Sequence, residues 1–135
     1  MARWLIWICV MIAWTVVLEM KFPDAESLPA GEIIVTNKYL FTKSLHIAAY
    51  AFLAILSAWV PMPVRYRFVM MFILMGHAWG SEMLQLELHE WCHRGGSLGD
   101  VGYDMLGIGL GTAASWKWWV GKDQPLAAER SPRAA

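Results

Sequence analysis

Four long apolar stretches fill most of this 135-residue sequence and limit what it can fold into. They occupy residues 4–19, 44–60, 68–85 and 98–120. A helix needs roughly 17 to 25 residues to cross a bilayer, so each stretch has about the right length. Hydrophobic residues make up 58% of the chain and charged residues only 16%, a balance typical of membrane proteins. The sequence therefore predicts an all-α polytopic membrane protein, a bundle of four transmembrane helices.

The chain is short enough to form a single domain, which we place at residues 1–120, and residues 121–135 predict a disordered tail. Arg3 precedes the first apolar stretch, as in a signal peptide. The following "EMKFPDAES" offers no small-residue cleavage site, so a retained helix is expected. The connection 21–43 contains "EIIVTNKYLF". We expect it either to lie on the outer leaflet or to be a plain loop with one short extended piece.

The distribution of basic residues predicts the orientation of the chain. With four spans, both termini and the second connection lie on one side of the membrane. That side holds seven basic residues, namely Arg3, Arg65, Arg67, Lys117, Lys122, Arg130 and Arg133. The other side holds four, namely Lys21, Lys38, Lys43 and Arg94. The positive-inside rule therefore predicts cytoplasmic termini and a multi-pass protein of the plasma membrane, surrounded by lipid. The formal net charge of zero argues against nucleic acid as a partner.

Polar residues gather at the predicted extracytoplasmic ends of three spans. Residues three or four apart share one face of a helix, so each group below lies on one side of its span. The groups are Lys43, His46 and Tyr50 in the second span, Glu82 and Gln85 in the third, and Asp100 and Asp104 in the fourth, with Arg94 just before it. Ionisable groups in a membrane are costly unless they are paired or functional. These eight residues are candidates for an external ligand site, and a structural ion-pair network is the alternative.

Gly107 and Gly111 continue the face of Asp104 along the fourth span, in "GIGLG". Small residues four apart allow another helix backbone to approach closely. We expect this pair to pack against a neighbouring helix, either to hold the acidic residues in place or for packing alone.

These motifs together resemble the VanZ-like family, named for a protein associated with teicoplanin resistance. The stretches that carry the resemblance are "TKSLHIAAY", "SEMLQ", a later arginine and "DVGYDMLGIGLG". The family pattern has Lys-x-x-His-x-x-x-Tyr opening one span and Glu-x-x-Gln closing the next. An Arg and then Asp-x-x-x-Asn-x-x-Gly lead into the last. The matching positions are Lys43, His46, Tyr50, Glu82, Gln85, Arg94, Asp100, Asp104 and Gly107.

The resemblance covers roughly residues 40–115, and the chain departs from the family pattern in three places. Thr42 stands where an acidic residue often precedes the lysine, and Asp104 stands where the family has asparagine. The connection between Gln85 and Arg94 is also longer than is usual in the family. The resemblance implies a bacterial envelope protein that binds or processes an amphipathic, cell-wall-related molecule at the outer leaflet, such as a lipid-linked precursor or a lipoglycopeptide.

The longer connection contains "HEWCH", a pattern that zinc metalloproteases place on a helix. His89 and His93 would be the metal ligands, Glu90 the general base, and Glu82 or Asp100 could supply a third ligand. Two glycines follow the motif directly and would end any helix there. The alternative is a polar loop anchored at the interface by its tryptophan.

Three hypotheses follow from the sequence. The first is a ligand site in which the basic residues bind a phosphate or carboxylate, with His46 and one carboxylate as an acid/base pair if there is catalysis. The second is a non-enzymatic component whose charges organise the bundle or dock a partner. The third is the membrane metalloprotease. No cofactor other than zinc is expected, and no serine, cysteine or threonine is placed beside a base as a nucleophile.

Overall fold

The computed structural model describes residues 1–19, 32–88 and 97–121, without the side chains of residues 19 and 32–39. The described residues form five helices and no strand, which confirms the all-helical prediction. The helices are α1 (Ala2–Glu19), α2 (Glu32–Trp59), α3 (Val64–Glu87), α4 (Leu98–Ala114) and α5 (Trp116–Val120). The predicted tail, apart from its first residue, and the "HEWCH" motif lie outside the described residues.

Helix α2 is longer than the sequence predicts. It begins at Glu32 rather than near residue 44, so the alternative of a plain loop with one short extended piece in "EIIVTNKYLF" is wrong. No glycine or proline interrupts the chain between Gly31 and Pro61, and the helix continues through the β-branched residues because nothing breaks it. Pro61 and Pro63 then form the boundary with α3, which begins directly after Pro63.

The last predicted span is interrupted near its end. Helix α4 ends at Ala114, and α5 is a separate helix of 5 residues. Ser115 lies between them, and its hydroxyl donates a hydrogen bond to the carbonyl oxygen of Gly111 at 2.6 Å. Back-bonding of this kind competes with regular helical bonds and bends helices. The sequence pattern alone, largely apolar after Asp104, did not predict this break.

Side-chain contacts show that successive long helices run in opposite directions. Arg3, near the start of α1, donates a hydrogen bond to the carbonyl oxygen of Trp59, at the end of α2, at 3.2 Å. Arg67, near the start of α3, donates to the carbonyl oxygen of Trp118 in α5. We call this side of the molecule, where Arg3 and Arg67 lie, the arginine end. The start of α4 lies at the opposite end, beside the C-terminal part of α3.

Helices α2 and α4 form the most extensive helix–helix contact. They approach so closely that a Cβ atom built on Gly107 would lie 2.5 Å from the carbonyl oxygen of Ile47. A Cβ on Gly111 would collide with the backbone of Ala51. Only glycine fits at these two positions, and the pair fixes the distance between the two helices.

The interior of the molecule is unusually polar and its exterior unusually apolar. Ten polar or charged residues are buried in the part of the chain that the structure describes. Large apolar side chains are exposed on every long helix, for example Leu5, Phe52, Phe72 and Leu106. Among the described residues, one helical segment, Leu40–Trp59, is long and apolar enough to cross a membrane. This one segment is a weak indication of membrane association.

Candidate functional site

Five charged or titratable side chains from three helices meet at the end of the molecule opposite the arginine end. We call them the polar cluster: Lys43 and His46 from α2, Glu82 from α3, and Asp100 and Asp104 from α4. The spacing of three or four residues places each pair on the inner face of its helix. The three helices therefore bring together residues that lie up to 61 positions apart, from Lys43 to Asp104.

Lys43 and Asp100 form an ion pair at the rim of the polar cluster. Their side chains are 15% and 12% exposed, so the pair is accessible while most of its surface is covered. The Lys43 ammonium also lies 5.7 Å from the centre of the Tyr103 ring, within range of a cation–π interaction. The rim is thus the part of the cluster that a molecule outside the bundle can reach.

His46 and Asp104 form a second pair deeper in the cluster. Nδ1 of His46 and Oδ1 of Asp104 are 2.8 Å apart, and the side chains are 2% and 0% exposed. The Trp14 indole from α1 packs edge-on against the imidazole, with ring centres 5.9 Å apart. The hydrogen bond fixes the ring orientation, an arrangement found in both acid/base pairs and metal sites.

Glu82 joins the cluster to the start of α4. Its Oε2 accepts a hydrogen bond from the backbone N–H of Ser97 at 2.8 Å, and the Ser97 hydroxyl in turn accepts from the N–H of Gly99 at 3.1 Å. Ser97 and Asp100 have the spacing of a capping box, in which the side chain of the later, acidic residue accepts a hydrogen bond from the backbone N–H of the earlier residue. In this structure Glu82 accepts the bond from the Ser97 N–H, and Asp100 binds Lys43.

Two carboxylate oxygens in the cluster have no hydrogen-bond partner among the described residues. They are Oε1 of Glu82 and Oδ2 of Asp104, and both side chains are fully buried. Nearly all buried polar atoms in proteins are hydrogen-bonded, and an unsatisfied one costs roughly 1–3 kcal/mol. One potential ligand atom from each of His46, Glu82 and Asp104 lies within 4.8 Å of the other two. The centre of the cluster is therefore rich in acceptors and short of donors.

Two further candidate residues, Tyr50 and Gln85, are buried but bond to other groups. The Tyr50 hydroxyl lies 2.8 Å from Nδ1 of His77, and Nε2 of His77 lies 2.8 Å from Oγ1 of Thr15. The Thr15 hydroxyl donates to the carbonyl oxygen of Met11, so its oxygen accepts from Nε2–H of His77. Nδ1 of the neutral His77 ring then accepts from the Tyr50 O–H, and the chain of hydrogen bonds joins Tyr50 to α1. Gln85 donates a 3.5 Å bond to the carbonyl oxygen of Leu18. Both residues connect α1 to the bundle.

The eight ligand-binding candidates therefore separate into three groups. Five form the polar cluster, Tyr50 and Gln85 face α1, and Arg94 lies outside the described residues, as do His89 and His93. Sequence reasoning did not predict the parts played by Trp14, Thr15 and Ser97. The S-x-x-D pattern at Ser97 was a signal for the start of α4, whereas nothing in the sequence of α1 marks Trp14 or Thr15 as neighbours of the site.

A different arrangement of buried charge lies at the arginine end. Arg67 is 9% exposed, and its guanidinium donates to the carbonyl oxygens of Trp118 and Gly121, the latter at 3.3 Å. These carbonyls belong to the C-terminal end of α5, where a cation is favourable. No protein-family model, curated protein or solved structure matches this chain. The function is therefore argued from the site itself.

Proposed function

We propose that this chain is a four-span integral membrane protein of the bacterial envelope, related to the VanZ-like proteins. In this proposal the polar cluster faces the outer side of the membrane and binds, or binds and processes, an amphipathic envelope molecule. One observation carries the proposal, a cluster of five charged or titratable groups enclosed by helices whose outer surfaces are apolar; four of the groups are buried and the fifth, Lys43, is mostly covered. This distribution is the reverse of that expected for a soluble domain.

The exposed apolar surface supports four spans. Soluble proteins rarely expose a contiguous apolar patch larger than a few hundred Å², yet large apolar side chains are exposed along α1, α2, α3 and α4. The helices contain 18, 28, 24 and 17 residues. At 1.5 Å per residue these are about 27, 42, 36 and 26 Å long, comparable to the roughly 30 Å hydrocarbon core. The polar residues that lower the hydropathy of α3, such as Glu82 and Gln85, are buried.

The basic residues support an outward-facing cluster. Arg3, Arg65, Arg67 and Lys117 all lie near the arginine end, in α1, α3 and α5. The positive-inside rule makes this end cytoplasmic. Because the helices alternate in direction, the polar cluster then lies at the outer face, where envelope precursors and lipoglycopeptides are found.

The surroundings of the rim suit a ligand with both a charged head and an apolar tail. Lys43 can bind a phosphate or carboxylate when its pairing with Asp100 opens, and the carboxylates can accept hydrogen bonds from hydroxyl or amine groups. Next to this rim, Phe41 and Leu98 are 68% and 67% exposed. An acyl chain in the membrane can pack against them while the head group reaches the cluster.

The test compares teicoplanin resistance and teicoplanin binding between two matched lysine substitutions, one in the polar cluster and one near the arginine end. A sensitive bacterial host expresses the wild-type chain, Lys43→Gln or Lys117→Gln, and teicoplanin susceptibility is measured together with the amount of folded protein in the membrane. Binding of teicoplanin to the detergent-purified proteins is measured in parallel, with the same antibiotic lacking its acyl chain as the comparison. We expect Lys43→Gln to lose resistance and to bind at least roughly tenfold more weakly, as expected for losing a charge-assisted bond. Lys117→Gln should match the wild type.

The other hypotheses give different results in the same experiment. A folded Lys43→Gln protein with full resistance and binding contradicts the ligand site. A Lys43→Gln protein that fails to accumulate favours the non-enzymatic structural role. Loss of teicoplanin resistance in His89→Ala, with resistance unchanged in Lys43→Gln, would favour the metalloprotease.

A further inference from the structure

The charges of the polar cluster do not balance among the described residues. Three carboxylates, from Glu82, Asp100 and Asp104, face one ammonium, from Lys43, which is paired with Asp100. Glu82 and Asp104 are left with His46 as their neighbour, and all three are buried. Burying two carboxylates close together is costly unless cationic charge accompanies them.

The remaining groups have the composition and spacing of a metal site. One imidazole and two carboxylates offer donor atoms within 4.8 Å of one another. Zinc binds nitrogen and oxygen ligands at roughly 2.0–2.2 Å, so donors around one ion lie about 3–4 Å apart, and a contraction of about 1 Å would complete the geometry. The two unpartnered oxygens, on Glu82 and Asp104, are an independent observation that points to a cation.

We propose that His46, Glu82 and Asp104 bind a divalent transition-metal ion, for which zinc is the first probe. The two carboxylates carry two negative charges and the neutral imidazole carries none. A divalent ion would therefore leave the bound site with no net charge. Three protein ligands leave a further coordination position, as in zinc sites that bind water or substrate. Asp104, which stands where the family pattern has asparagine, supplies the second of the two negative charges.

The proposed ligands differ from His77, the other histidine among the described residues, in their hydrogen bonding. His77 is partly buried in the bundle, and both of its ring nitrogens are bonded, to Tyr50 and Thr15. Glu82 is held by the N–H of Ser97 through one oxygen only, and Asp104 by His46 through one oxygen only. The N–H of Ser97 orients Glu82 from outside the ligand set, as outer hydrogen bonds orient metal ligands, and one oxygen of each carboxylate is left for an ion.

The inference deepens the proposed function, on which it rests for its biological role, because the ion would lie beneath the Lys43–Asp100 rim and could contact the ligand's phosphate or carboxylate. The binding of the ion itself does not depend on that role. Metal content can therefore be measured without any resistance phenotype, and the two proposals can fail separately.

The experiment measures the metal bound to the full chain purified in detergent, after removal of metal with a chelator and reloading with zinc. Mass spectrometry of the wild type should give roughly one zinc per chain. Glu82→Gln and Asp104→Asn should each bind zinc at least roughly tenfold more weakly. Glu87→Gln, which changes an exposed carboxylate on the same helix as Glu82, His77→Gln and His89→Ala are the controls, and each should retain wild-type zinc. Cobalt loading adds a visible absorption spectrum that should change in Glu82→Gln and remain in Glu87→Gln.

The outcomes decide the proposal even if a variant does not fold. The wild-type protein alone should unfold at a lower temperature in chelator and recover its midpoint when zinc is added. A wild-type chain that binds neither zinc nor cobalt and shows no such shift overturns the proposal. Retention of zinc by a folded Glu82→Gln/Asp104→Asn double variant also overturns it. Loss of zinc in His89→Ala, with Glu82→Gln unaffected, would place the metal at "HEWCH" and overturn it as well.

Discussion

The two ends of the helix bundle bury charge in opposite ways. At the arginine end, Arg67 donates through Nη1 to two backbone carbonyl oxygens at the C-terminal end of α5, so its charge is bonded to a helix terminus even though its Nε has no partner among the described residues. At the other end, Glu82 and Asp104 each satisfy one carboxylate oxygen and leave the other without a partner among the described residues. The first arrangement joins α3 to α5. The second keeps acceptors in a place where a cation or a ligand can use them.

The comparison distinguishes charge that supports the fold from charge that is available for function. A buried structural charge should cost stability when it is removed, because its partners are then left unsatisfied. Removing a charge that lacks a partner should cost little and can even stabilise the chain, the usual relation between stability and function at binding sites. Substitutions at the two ends should therefore change the stability in opposite directions.

The largest effect should come from the glycine pair, which holds α2 and α4 together between the two ends. Gly111→Ala places a Cβ against the backbone of Ala51 and should lower the free energy of unfolding by about 3 kcal/mol, the upper part of the range for overpacking. Gly109→Ala is the matched control, since a Cβ there meets nothing within 4 Å and alanine favours the helix. Thermal unfolding in detergent measures both. Equal midpoints for the two variants would contradict the close approach of the helices.

At the arginine end, Arg67→Met should lower the free energy of unfolding by about 2 kcal/mol, because it removes charge-assisted hydrogen bonds to Trp118 and Gly121. Arg65→Met, on an exposed position of the same helix, should change it by less than about 0.5 kcal/mol. Denaturation of the purified variants gives the difference. If the Arg67→Met protein is as stable as the Arg65→Met protein, the structural role assigned to Arg67 is contradicted.

In the polar cluster, Glu82→Gln should raise the free energy of unfolding of the metal-free protein by about 1 kcal/mol. Its amide can still accept from Ser97 and can donate towards the neighbouring carboxylate, which removes an uncompensated charge. Asp100→Asn, which breaks the ion pair with Lys43, should not stabilise the protein. The measurement is thermal unfolding in chelator. A clear loss of stability in Glu82→Gln would mean that this end is structural too.

The smallest effect should come from Thr15→Val, which removes the hydroxyl that bonds Nε2 of His77. We expect a loss of about 0.6 kcal/mol, the average for a hydrogen bond between membrane helices. Zinc binding should be unchanged, because the Thr15, His77 and Tyr50 chain is separate from the metal ligands. A large loss of zinc in this variant would show that the two networks act as one.

Sequence reasoning predicted an all-helical chain and the five residues of the polar cluster, because hydrophobic length and three-or-four spacing are local properties. It could not predict which acid pairs with which base. Glu82 rather than Asp100 bonds the N–H of Ser97, which depends on how α3 and α4 pack. Tyr50 shares a helix face with His46 yet bonds to His77, because α1 and α3 approach on that side. The early start of α2 was missed because the β-branched residues 33–36 favour strands by propensity, and the packing that overrides propensity is not visible in the sequence.

In the proposed function, the two ends of the bundle face opposite sides of a membrane, with the polar cluster outside. Single cysteines at the two ends test it directly, in a chain whose own Cys9 and Cys92 are replaced by serine. Glu87→Cys replaces an exposed charged residue at the end of α3, on the cluster side, and Lys117→Cys lies on an exposed position in α5. In intact bacteria, a membrane-impermeant maleimide should label Glu87→Cys at once and Lys117→Cys only after the membrane is opened. Labelling of both in intact cells, or the reverse order, would contradict the account.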